Sequence, residues 1–228
     1  MTANEEIPWK RVSVEAAAIV ASILLAFAID AWWAEQQDRR AESEILSRLH
    51  TEFALVRDGI GARGTQIRVQ VASVEMFRLL EANRDRDGPV VIQNTLINEA
   101  TIAPTVDPAT PVLDGLVQSG QLDVIRDNDI LTAIFNWQVT IKNVSELELG
   151  AREFVASQVI PALAKRGYMG DAFREEKPDG ETSILVDDEL MGIVSKRARD
   201  TDRVLNRLEA MKETATELLS AIEKAQRQ

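Results

Sequence analysis

The stretch from Ala16 to Ile29, "AAAIVASILLAFAI", carries no charge, and its surroundings constrain the chain more than any other feature. As a helix these residues measure about 21 Å, short for a bilayer, but Val12 to Ala34 gives about 34 Å, enough to cross one. Glu15 and Asp30 then fall within reach of the headgroup zones, so neither carboxylate sits at the centre of the bilayer. Trp9 on one side and Trp32-Trp33 on the other lie about 35 Å apart along such a helix, the separation of two interfacial aromatic belts. Two other readings of the stretch remain open. In one, Lys10-Arg11 and Ala26-Phe27-Ala28 form the basic region and small-x-small cut site of an export signal. In the other, the stretch is the core helix of a soluble domain. The helical pattern runs without Pro or Gly into "EQQDRRAESEILSRL", which favours an uncleaved anchor.

The anchor reading divides the chain into a tail (1–11), a transmembrane helix (12–34) and a helical extramembrane domain (35–228). Ala18, Ser22 and Ala26 form a small-xxx-small row, broadened by Ala17 and Ala21, that lets a second helix approach closely in lipid. Glu15 and Asp30 project on the same side, within about 80° of arc. That side is expected to meet protein, a second copy of the chain or another membrane protein. The alternative is that Glu15 pairs with Arg11 and Asp30 rests in the interface. Lys10 and Arg11 before the span nearly balance Arg39, Arg40 and Arg48 after it, with a slight lean toward the domain side, so charge barely sets the orientation. The short tail resembles that of a signal anchor and places the domain outside. The 11 residues before Val12 are too few for an output domain, so a sensor built on this chain would need a separate signalling partner.

Beyond the anchor the sequence predicts an all-α fold of long helices in an antiparallel, coiled-coil-like bundle. Helix formers dominate, while aromatics are only 5% of the chain, too few for an all-β protein. Ile45, Leu49, Phe53, Val56 and Ile60 make a helical stripe that Ile67, Val71, Val74 and Phe77 continue, with a weak point at Gly59, Gly61 and Gly64. "ANRDRDGPVV" is a stop, and a short helix is predicted over 93–100. Thr110-Pro111 opens another that Ser119-Gly120 ends. Asn128 is the predicted cap of a helix bearing Ile130, Ile134, Trp137, Ile141, Val144, Ala151 and Val155, closed by Pro161 and Gly167. After a polar loop, "REEKPDGETS", a last helix from Asp187 carries Leu190, Val194, Thr201, Val204, Leu208, Met211, Ala215, Leu218, Ile222 and Ala225 on one face, interrupted only by Arg197. A row this long demands a partner, and the stripe after the anchor is the expected antiparallel one.

"VEAAAIVASILLAFAIDAWWAEQQDRR" (14–40) and "LDGLVQSGQLDVIRDNDILTAIFNW" (113–137) together resemble an uncharacterised family of bacterial single-span membrane proteins. Its members show a Gly/Ser-Glu entry to an apolar helix, a tryptophan and acidic residues at the exit, and a Leu-x-x-Leu-x-x-Ser-Gly-x-Leu signature. Here Val14 stands where the family has glycine before Glu15. The resemblance implies membrane attachment and a helical domain; the expected location is the bacterial inner membrane, with the domain periplasmic on the anchor orientation given above. It implies no activity.

Reaction chemistry finds little support. "GIGARG" (59–64) matches GxGxxG but has helical pattern on both sides, whereas a dinucleotide site needs a strand before it. "NRDRDGPVVIQN" (83–94) mimics a calcium loop through Asn83, Asp85, Asp87, Gly88 and Val90, yet Asn94 replaces the bidentate Glu. His50 is the single histidine and there is no cysteine, so no zinc set or Cys nucleophile can be assembled. Asp187-Asp188-Glu189 has a helix-start role. The Ser119-Gly120-Gln121-Leu122 turn reads either as the lining of a groove or as a glycine helix stop with Leu122 packed beneath. A net charge of −11 argues against nucleic acid as partner. Neither a catalytic site nor a cofactor is expected, and the chain is expected to act by binding, as a scaffold or assembly component, or alternatively as a ligand sensor.

Overall fold

A computed structural model describes residues 9–62, 64–168 and 180–227, with side chains from Glu15 onward except that of Ala16. The fold is all-α with one short sheet. Helix α1 (Trp9–Gly61) is uninterrupted over 53 residues, and α2 (Gly64–Ala82) follows the glycine-rich break. After β1 (Val90–Gln93) come α3 (Asn94–Thr101) and α4 (Pro111–Ser119), then a 3₁₀ turn (Gln121–Val124) and α5 (Asn128–Phe154). A π-turn (Val155–Val159) leads into α6 (Ile160–Ala164), and the chain resumes with β2 (Glu181–Ile184) and α7 (Asp188–Ala225).

Helix α7 runs antiparallel to each of its three long neighbours, α1, α2 and α5. Its end meets α1 through His50 and Glu223 (3.3 Å) and α5 through Lys224 and Asp129 (2.8 Å). Its start meets the turn just after α2 through Arg84 and Asp188 (2.6 Å), and Lys196 lies 3.8 Å above the Phe154 ring at the far end of α5. The predicted α7 stripe is buried or half-buried throughout, which is how a helix of mean polar character is held: by one apolar face packed on α1, α2 and α5.

Two separate cores result. The first gathers Leu49, Phe53 and Ile60 of α1, Ile134, Trp137 and Val144 of α5, and Leu208, Met211 and Leu218 of α7, with Phe53 and Trp137 edge to face at 5.0 Å. The second gathers Met76 and Leu80 of α2, Ile92, Ile97, Val159, Leu163, Ile184, Leu190 and Val194. Between them lie buried polar groups, Ser73, Glu148, Arg197, Asp200 and Thr201.

Several local expectations are corrected. The stripe of α1 does not continue in phase across the break: Val69, Ala72, Met76 and Leu80 are buried in α2, while Ile67 and Val71 are exposed. At 100° per residue the buried face of α2 is displaced by about half a turn from that of α1, because the helix breaks after Gly61, with Ala62 in a turn, and the rotation is reset where α2 begins. Val90–Gln93 and Glu181–Ile184, where the sequence predicts no strand and a helix opening at Gln93, pair as antiparallel strands, Val90 opposite Ile184 and Gln93 opposite Glu181. The cap of α5 is Asp127, whose carboxylate accepts from the Asp129 and Ile130 amides, and Asn128 is already helical. Pro161 does not end its helix; it falls in the first turn of α6, where a missing N–H is tolerated, after the wider π-turn. The left-handed Gly167 (φ 97°) follows as the stop.

Candidate functional site

Helix α1 leaves its apolar half uncovered. Every described side chain from Ala17 to Ala34 is exposed, including Ile19, Leu24, Leu25, Phe27, Trp32 and Trp33, and the helix is long and apolar enough to cross a membrane. No described part of the chain packs on these residues, so among the described residues this segment is not a core helix of the domain. Ala18, Ser22 and Ala26 occupy successive turns of this helix, and the Ser22 hydroxyl donates to the Ala18 carbonyl (2.8 Å). Glu15 and Asp30 lie on the same helix and are both exposed. The Trp32 and Trp33 rings stand 6.3 Å apart, while the Trp9 side chain lies outside the described residues.

Just past this segment the packed domain touches α1 for the first time. Arg126, ahead of α5, donates to Glu35 (2.7 Å) and Asp38 (3.2 Å), and its backbone amide donates to Glu42 (2.8 Å). The Arg126 guanidinium, helped by Arg39, holds the Glu35 carboxyl at about 2.

A groove of about 820 Å³ opens farther along α1, between its outer side and the chain from Val106 to Val112. Leu55, Val56, Ile60, Val106, Pro108 and Val112 make it largely apolar, and Glu52 lies within it. The Glu52 side chain is buried and caps a different helix: its two oxygens accept from the backbone amides of Val112 (2.6 Å) and Leu113 (3.1 Å) at the start of α4. Thr110, the expected cap, makes no such bond, and its hydroxyl turns to Asp114. Burial raises the Glu52 carboxyl above its ordinary range, against the two amides, and the nearby Asp114 raises it further.

The same backbone is held at two other points. Arg197 of α7, almost fully buried, donates to the carbonyls of Ala100 (3.0 Å) and Ile102 (2.5 Å). Glu148 of α5 accepts from the Val106 amide (2.9 Å). Burial lowers the Arg197 guanidinium to about 10 and raises Glu148 above the usual carboxylate range. The proline-rich strap between α3 and α4 is thus fixed by one charged side chain from each of three long helices. Sequence reasoning missed all three. The available signal was a charge at a core-facing position, seen for Arg197 but read only as an interruption.

The remaining candidates are not brought together. Gly59, Gly61 and Gly64 join helix to helix, which is not the strand-to-helix setting of a dinucleotide loop. Asn83 donates to the Leu79 carbonyl (2.8 Å) and Asn94 accepts from Thr182 (2.6 Å), so the first and last positions of the calcium-like loop serve a helix end and the strand pair. His50 faces Glu223. Asp187 caps α7 and, with Glu189, grips Arg166. Gly120 (φ 69°) ends α4 in the left-handed form with Leu122 packed against the first core. Comparison with family models, with curated proteins and with solved structures returns no match.

Proposed function

We propose that this chain is a single-span membrane protein whose helical domain works by binding, as an assembly or scaffold component, with no catalytic role. The observation that carries this reading is the exposed apolar half of α1, continuous with a half that packs into the domain. In water such a surface is costly, at about 25 cal/mol per Å² of apolar area, and lipid removes that cost. In this reading residues 12–34 span the bacterial inner membrane, Trp9 mirrors Trp32 and Trp33 across it, and the domain is a periplasmic antiparallel bundle. Glu15, Ala18, Ser22, Ala26 and Asp30 form the face on which a second copy, or another membrane protein, packs. The resemblance at 14–40 and 113–137 to bacterial single-span proteins supports the same assignment.

Alkaline carbonate extraction of membranes tests it: the intact chain stays with the lipid, and release of the chain, or a mature start near Ile29 by mass spectrometry, rejects the anchor. Because the chain has no cysteine, a single Glu223→Cys reports orientation through an impermeant maleimide.

A second reading, ligand sensing through a separate membrane partner, is favoured by the groove beside Glu52, an apolar recess with a buried polar group.

A further inference from the structure

We propose that the groove between α1 and the strap binds an amphiphilic organic cation, its hydrocarbon body against Leu55, Val56, Ile60 and Val106 and its ammonium group on the Glu52 carboxylate. The size and apolar lining suit a small organic molecule. The charge of the head follows from what surrounds Glu52. Each of its oxygens takes one backbone N–H and retains acceptor capacity for another donor. The charged group acting on it is Asp114, of the same sign, and Asp107 lines the same groove. Arg48, the cation at the groove's edge, is exposed and already paired with Glu44. An anionic ligand would meet these carboxylates, and a purely apolar one would strip remaining water from Glu52 without replacing it. An ammonium supplies the missing counter-charge and a hydrogen bond of the strong, ionic kind. Burial raises the Glu52 carboxyl and Asp114 raises it further, and a cation beside it would oppose both effects.

This inference is independent of how the apolar half of α1 is placed. Its test uses the full chain in nanodiscs at neutral pH, titrated with hexylammonium, hexanoate and hexanol, with protein-free nanodiscs as the blank. Hexylammonium is expected to bind about ten-fold more tightly than either comparison compound. Glu52→Gln, with folding checked by circular dichroism, is expected to abolish that preference. Leu55→Lys changes an exposed wall residue, leaves the α4 cap intact, and is expected to weaken hexylammonium about ten-fold at unchanged Tm. Equal binding of the three compounds, preference for hexanoate, no binding above the blank, or a preference that survives Glu52→Gln overturns the proposal.

Discussion

Arg197 and Glu52, on antiparallel helices, grip the two ends of one backbone segment: the guanidinium binds the carbonyls of Ala100 and Ile102, and the carboxylate binds the amides of Val112 and Leu113. A cation on acceptors and an anion on donors match the polarity of each end. Neither interaction is replaceable by a neutral apolar side chain without orphaning buried backbone groups.

Arg197→Ala is expected to lower stability by about 3 kcal/mol, the loss of two bonds to a charged donor. Thermal unfolding measures this, and hydrogen exchange should rise first in residues 100–113. Uniform exchange across the domain would contradict a local latch.

Burial raises the carboxyls of Glu52 and Glu148 above their unfolded value of 4.5, so the native state binds these protons more tightly than the unfolded state does. Their contribution therefore grows more favourable as pH falls toward 4.5 and becomes unfavourable above the raised values. Glu148→Gln keeps an acceptor for the Val106 amide and removes the charge, so it is expected to flatten this part of the stability–pH curve. Denaturant melts of both proteins at a series of pH values check it.

Glu35 behaves in the opposite sense. Its tie to Arg126 is present above 4.5 and lost as pH falls through about 2. Arg126→Gln is expected to return the Glu35 carboxyl toward 4.5, observable by NMR titration.

Two glycines of α4 separate conformation from space, since an added Cβ meets nothing within 4 Å at either. Gly120 has φ 69°, and Gly120→Ala is expected to cost about 1 kcal/mol. Gly115 lies within the helix, and Gly115→Ala is expected to stabilise by up to about 1 kcal/mol.

Ser22→Leu and Ala26→Leu, which fill the small-residue row, are expected to reduce cross-linked oligomer in membranes. An oligomer that survives both places the contact elsewhere.

Long apolar stripes were the legible part of the sequence: Leu49 to Ile60, Ile130 to Val155 and Leu190 to Ile222 are buried or half-buried as their spacing predicts. The phase beyond Gly61 was not legible, because a break in the helix rotates everything after it. The strands at 90–93 and 181–184 are four residues each and pair across a long sequence separation, so neither shows a period of its own. Of the candidate site, the apolar helix was visible at once. The groove was not, since it arises where a strap crosses a helix, with Val112 on Glu52 60 residues away in sequence.

The absence of any break in α1 has a mechanical consequence. Fifty-three residues make a shaft about 80 Å long, with no swivel between the bare end and the end that carries Glu52 and Phe53. A roll or lean imposed on the bare end is delivered, undamped by a joint, to the wall of the groove.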